Sequence, residues 1–247
     1  MIRFDDVTKS FGALRVLEGV SVTIDRGEVF FVIGQSGVGK SVLIKHLVGL
    51  LRPDSGEIWI DDVEVSHLDE RALAAIRRKC GMVFQHSTLF DSLDCLDNVA
   101  LPIQKHRKLS LRASRAEAWR YLDLVHMREF ANHFPAALGD GLRKQVAIAR
   151  TLTMGPEFVL FDEPTTGLDP ISARRVDHLI RELAEGTKVT CVVVSHDLKS
   201  IFSIADRILM LYKGRTLLLG TQDDFRASAD PVVRQFVAGS PHGPIEV

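Results

Sequence analysis

Hydrophobic positions change their period along the chain, and each change predicts an element. Alternation near Ile2 to Val7 and Val20 to Ile24 predicts short half-buried strands. Val29-Phe30-Phe31-Val32-Ile33 is apolar throughout, the pattern of a strand covered on both faces. From Ser41 to Leu51 the positions Val42, Leu43, Leu47, Val48 and Leu51 fall at helical spacing, and Pro53-Asp54-Ser55-Gly56 predicts a turn after them. Two more apolar runs, Phe158 to Phe161 and Val189 to Val194, predict buried strands that end in polar residues. Between them Asp169-Pro170 predicts a helix start, with Ile171, Val176, Leu179, Ile180 and Leu183 on one face and Gly186 as its stop.

Strands alternating with helices predict an α/β fold with a mainly parallel sheet, whose ligands collect at the carboxyl ends of the strands. Residues 87–152 contain no comparable strand, and helical patterns around Ala113 to Val125 and Leu142 to Leu152 predict a helical subdomain inserted in the core. That divides one domain into a core, 1–86 and 153–230, the helical subdomain 87–152, and a C-terminal tail, 231–247. The tail holds three prolines and two glycines and is expected to lie over a surface.

Composition narrows the partners. A chain of 247 residues, 46% apolar and 26% charged, has room for one large core with a subdomain. A net charge of -1 lacks the basic footprint of a general nucleic-acid binder, so nucleic acid is not an expected partner. Cys80, Cys95 and Cys191 are odd in number and lack metal or disulfide spacing, which fits a reducing, cytosolic compartment. The start, Met1-Ile2-Arg3-Phe4-Asp5-Asp6, does not read as a signal peptide, and no apolar run approaches the roughly 20 residues that span a bilayer.

Candidate chemistry sits at the predicted strand ends. Gly34-Gln35-Ser36-Gly37-Val38-Gly39-Lys40-Ser41 lies between an apolar strand and a helix that continues through Val42. Glycines there let backbone N–H groups converge on phosphate oxygens, and the helix adds its positive end. Lys40 is expected to bridge the β- and γ-phosphates of ATP and Ser41 to ligate Mg²⁺. Asp162 and Glu163 emerge together from a second strand, Asp162 as a Mg²⁺ ligand and Glu163 as the base that polarises the attacking water. His196, ending a third strand, is expected to touch the γ-phosphate and position that water, and Gln85, after Met82-Val83-Phe84, to ligate Mg²⁺. Phe11 is either an adenine-stacking platform or a core aromatic. The cations Lys105, Arg107, Lys108, Arg112 and Arg115 form either a solvated face or a surface for anionic headgroups or an acidic partner.

The phosphate loop, Gln85, Phe158 to Glu163, Thr166-Gly167-Leu168-Asp169 and His196, in that order, resemble the nucleotide-binding domain of ABC transporters. The resemblance implies the P-loop ABC ATPase fold, including an N-terminal antiparallel β subdomain, and Asp169 as the D-loop acid. It also implies a head-to-tail homodimer sandwiching two ATP molecules, with each signature segment contacting the ATP of the partner subunit. Motion of that dimer would drive a polytopic membrane permease, placing the chain on the cytoplasmic face of the inner membrane. Within the family, Gln85-His86-x-x-x-Leu89-Phe90-Asp91-Ser92-Leu93, Val189 to Asp197 and Asp230-Pro231-x-Val233-Arg234-Gln235-Phe236 are similar to the Mla/MCE-type phospholipid-trafficking ATPases. That narrower likeness implies an MCE-type substrate-binding protein and a tail that embraces the neighbouring ATPase subunit.

The family pattern breaks at Leu138-Gly139-Asp140-Gly141-Leu142, where Leu-Ser-Gly-Gly-Gln is expected. Gly139 lacks the hydroxyl that bonds the γ-phosphate, and Asp140 brings a carboxylate near phosphate charge, with a repulsion of roughly 3 kcal/mol at 5 Å unless Arg143 or Lys144 neutralises it. Three readings compete: an ATPase for phospholipid transport, the ATPase of another importer such as one for polar amino acids, and a hydrolysis-impaired regulatory subunit. The complete set Lys40, Ser41, Asp162, Glu163 and His196 argues against the last.

Overall fold

The computed structural model describes residues 1–245. The last two residues of the expected tail lie outside the described residues. Two sheets carry the fold. The first is antiparallel, in the order β2-β1-β4-β5, built from β1 (Ile2–Phe11), β2 (Leu14–Ile24), β4 (Ser55–Ile60) and β5 (Val63–Glu64). The second runs β10-β9-β3-β8-β7-β6, from β3 (Val29–Ile33), β6 (Cys80–Val83), β7 (Phe158–Asp162), β8 (Thr190–Val194), β9 (Arg207–Tyr212) and β10 (Arg215–Gly220). All its neighbours pair in parallel except the β9–β10 hairpin. β1 and β2 run further than the alternation suggests. The turn between them comes only at Gly12, whose φ is +60°, and polar Thr8, Lys9 and Ser10 sit half-buried where no apolar pattern marks a strand.

β3 shows why an unbroken apolar run is needed. Phe30 and Val32 pack with Ile2, Phe4, Ile58 and Ile60 of the antiparallel sheet and with α1 (Lys40–Leu47). Val29, Phe31 and Ile33 face the opposite core, under α3 (Cys95–Arg107), α4 (Leu111–Leu124), α5 (Asp140–Leu152) and α6 (Pro170–Thr187). Both faces of the strand are buried, and each phenylalanine removed from water contributes about 2–3 kcal/mol. Remaining helices are α2 (Glu70–Lys79), α7 (Leu198–Ile204), α8 (Gln222–Ala227) and α9 (Pro231–Ala238).

Gly186 does not stop α6. The helix continues to Thr187, whose hydroxyl donates to the Leu183 carbonyl at 2.6 Å, and Lys188 takes the left-handed closing position at φ +59°. α3 is hidden in sequence by Pro102 inside the helix. The basic run is split: Arg107 pairs with Glu117, Arg115 with Asp97 at 2.7 Å, while Lys105, Lys108 and Arg112 form no ion pair among the described residues. Nor is the tail only a surface strap. Val232, Val233 and Ile245 are buried in the chain's own core, and the Gln235 side chain accepts the Ile245 N–H at 2.6 Å. The three cysteines are free and buried, with burial pushing the thiols up to about 12, 11 and 12, so none is a nucleophile near neutral pH.

Candidate functional site

Because β3, β6, β7 and β8 are parallel, their carboxyl ends open on one edge of the sheet, and that edge receives the polar residues. After β3 the chain turns through Gly34, Gly37 and Gly39 at φ +137°, +80° and +109°. Two of these are also steric necessities. A Cβ on Gly34 would stand 2.3 Å from the Leu211 carbonyl oxygen, and one on Gly39 2.8 Å from the Val16 carbonyl. Lys40 follows, 5% exposed, its Nζ donating to the carbonyls of Gly34 and Gln35 at 2.8 and 3.0 Å. Burial lowers its pKa, opposed by the charges of Glu163 and Asp162, which face it from the end of β7.

Ser41 Oγ donates to Asp162 Oδ1 at 2.5 Å, joining residues that sequence separation keeps apart. The next residue, Glu163, sits at φ +52°, a conformation unusual for a side chain of its size, and its N–H donates to the Val194 carbonyl at 2.9 Å. This bend aims the carboxylate at two partners. Thr166 Oγ1 donates to Glu163 Oε2 at 2.9 Å, and His196 Nδ1 lies 2.8 Å from the same oxygen. Lys40, Ser41, Asp162, Glu163 and His196 therefore form one cluster. Thr166's bond to Glu163 is legible only once the turn is folded, although the residue stands in the recognised motif.

The residue after His196 is anchored in a network of its own. Asp197 caps α7 and accepts from Arg174 at 2.8 Å, and Ser200 bridges Asp197 and Asp177, each at 3.0 Å. Asp177 is itself paired with Arg174, yet burial pushes its carboxyl up to about 6. Of these four only Asp197 stands in a segment the sequence singles out. For Arg174 and Asp177 the signal is only a charged pair at i, i+3 on α6, and Ser200 carries none.

The segment Leu138 to Leu142 is placed elsewhere. Gly139 caps α5 without a side-chain bond and Asp140 opens its first turn, while a Cβ on Gly141 would meet Ser172 of α6 at 2.7 Å. A groove of about 930 Å³ runs between Gly139–Leu142 and Gly167–Ile171, so it includes Asp169, the cap of α6. A second cleft of about 470 Å³ is lined by Gln85, Asp140, Lys144 and Thr166. Residues 34–41 line neither. Asp140 is not a bare charge: Arg143, one turn along, is ion-paired with it. Lys144 takes no part in that pairing, its Nζ donating instead to the Phe84 and Gln85 carbonyls at 2.8 and 2.5 Å, with burial lowering its pKa to about 8. Phe11, at the end of β1, is 47% exposed with Lys9 Nζ 5.6 Å above its ring, so it is not a core aromatic.

Comparison with known proteins agrees with this geometry. Residues 17–166 match the ABC transporter family. The chain is 36% identical over 99% of its length, and 68% of the relative's, to a probable ribonucleotide transport ATP-binding protein, mkl, of Mycobacterium tuberculosis. It is 34% identical over 99% of its length, and 91% of the relative's, to the intermembrane phospholipid transport system ATP-binding protein MlaF of Escherichia coli. The methionine import ATP-binding protein MetN of Mesorhizobium japonicum is 39% identical over 89% of this chain but only 60% of the relative. Among solved structures, the dimeric ATP-binding cassette MJ0796 bound to ADP and Pi superposes with a TM-score of 0.79 at 35% identity, covering 90% of this chain and 98% of that one. With the family match over most of the chain and a strand edge carrying a phosphate loop and a poised carboxylate, the chain belongs to the ABC transporter family as an ATP-hydrolysing subunit.

Proposed function

We propose that Glu163 is the general base of ATP hydrolysis and that the chain energises phospholipid movement between membranes. The observation that carries the first part is the Glu163 carboxylate, bent out of β7 and held by Thr166 and His196 beside Lys40, Ser41 and Asp162. Glycine-rich backbone and Lys40 hold the phosphates, His196 orients the water, and Glu163 takes its proton. Phe11 offers its open ring to adenine. Residues 34–42 and Gln85 complete the nucleotide site, in a core of 1–86 and 153–230 that carries the helical subdomain 87–152.

Ser41 and Asp162 present hard oxygen atoms 2.5 Å apart, a donor set that fits Mg²⁺, with Gln85 as a further oxygen ligand. Bound there, Mg²⁺ supplies positive charge to the phosphates. Gly139 to Leu142 and Asp169 line a groove apart from the chain's own phosphate loop, with Leu138 buried in the core behind them, which supports use of the segment 138–142 by the ATP of a second copy. Among the described residues no helix is long and apolar enough to cross a membrane. The family match supports a polytopic permease as the partner that carries out the membrane step, with this chain on its cytoplasmic face.

The phospholipid reading is supported by the MlaF relative, which this chain matches over 91% of that protein. An MCE-type substrate-binding protein is the further partner this reading proposes. The MetN relative favours a second reading, an amino-acid importer, over a shorter part of its own length. Purifying the chain with its membrane partners and identifying the bound molecules separates them. Phospholipid with an MCE-type protein is expected; a soluble amino-acid receptor would replace the lipid reading with the importer.

The signature segment gives another prediction. Gly139 has an extended backbone at φ -67° and nothing within 4 Å of an added Cβ, so serine fits there without strain. Gly139→Ser with Asp140→Gly is expected to raise turnover of the assembled complex about tenfold, the value of one hydrogen bond to a charged phosphate. A rate that stays the same or falls shows that the Arg143-paired Asp140 does not impair the site.

A further inference from the structure

The loop that presents Gln85 is not held by the sheet it leaves. β6 ends at Val83, and from Phe84 to Leu93 the only backbone pairing among the described residues is Leu93 N–H to the Phe90 carbonyl at 3.1 Å. Side chains of the helical insert do the holding. Asn98 of α3, fully buried, accepts the Phe90 N–H at 2.8 Å, and its Nδ2 lies 3.0 Å from the carbonyls of Phe90, Leu93 and Asp94. Arg150 of α5 donates to the Thr88 carbonyl at 3.0 Å and to its hydroxyl at 3.2 Å. Lys144, 2% exposed on the same helix, reaches Phe84 and Gln85 themselves.

An ammonium group is tolerated in the interior only when its donors are used, and among the described residues Lys144 forms no ion pair within 4 Å. Its nearby carboxylates are Asp140, already paired with Arg143, and Asp162, already bonded by Ser41. Two charge-assisted hydrogen bonds to adjacent carbonyls are what this side chain does. We infer that Lys144 is a positioning residue, fastening the Gln85 loop to the helix that begins at Gly139–Asp140 and so fixing where the Gln85 side chain starts from. Only the role given to Gln85 rests on the ATPase reading; the mechanical tie does not.

Hydrogen exchange of the nucleotide-free full chain reads the tie directly. In Lys144→Met, similar in length but without donors, amides of residues 84–91 are expected to exchange about tenfold faster, with those of β3 and α1 unchanged. Lys144→Arg, which still donates to both carbonyls, should restore most of the protection. In turnover assays Lys144→Met should also raise the Mg²⁺ concentration for half-maximal rate at unchanged ATP affinity. If Lys144→Met lacks a cooperative melting transition, Lys144→Gln takes its place under the same criterion. Unchanged exchange at 84–91, acceleration spread over the whole chain, or an Arg variant as unprotected as the Met variant would overturn the inference. A wild-type chain that exchanges as expected but never hydrolyses ATP overturns the ATPase reading instead and leaves the tie standing.

Discussion

Glu163→Gln is expected to lower steady-state ATP turnover at least 100-fold, because a positioned general base supplies about 10²–10⁴ of the rate. ATP binding should persist. Lys40 and the loop backbone do not depend on the Glu163 charge for their geometry, since Lys40 is held by the carbonyls of Gly34 and Gln35. Glutamine keeps an oxygen for Thr166 and a shape that fits beside His196, so the turn at residue 163 survives while proton acceptance is lost. Turnover by coupled assay and nucleotide binding by fluorescence or calorimetry check the two halves. A mutant within tenfold of wild-type turnover would remove Glu163 from the base role, and loss of binding would show that its charge is part of the nucleotide site.

Gly34→Ala is the second large effect. A φ of +137° costs a side chain about 1–3 kcal/mol, and the clash with the Leu211 carbonyl at 2.3 Å adds a similar overpacking cost because the obstacle is backbone in the neighbouring strand. The melting temperature should fall by about 10 °C, taking 2–4 °C per kcal/mol for a domain of this size. ATP binding should fall with it, as the β3–β9 junction shapes the loop. Gly37→Ala is the control: its φ is +80° but an added Cβ meets nothing within 4 Å, so only the backbone cost remains and the drop should be about half as large. Equal melting curves for the two variants would mean that contact with Leu211 does not matter.

The two arguments use different kinds of information. Glu163 is named by its position after an apolar strand that also bears Asp162, a local pattern. Gly34 is named by the same motif, but its intolerance of a side chain comes from Leu211, 177 positions away, and no local pattern contains that. Gly141 repeats the lesson: the motif places it in the signature, and only packing shows Ser172 against its Cα. Asp140 was legible as a charge, but its pairing with Arg143 rather than Lys144 depended on where the Lys144 side chain goes, across the interior to Phe84 and Gln85.

From sequence alone came the buried strands β3, β7 and β8, the start of α6 at Asp169, the phosphate loop and the polar residues at the strand ends, because unbroken apolar runs and glycine or proline punctuation are local consequences of burial and backbone sterics. The true reach of β1 and β2, the passage of α6 through Gly186, the concealed α3 and the inward return of the tail were decided in three dimensions. So were the clamp on Asp197 and the hold of α5 on the Gln85 loop. Each depends on a side chain reaching a backbone or carboxylate group brought near by packing, and the energy of that contact is set by burial and distance, which spacing along the chain does not specify.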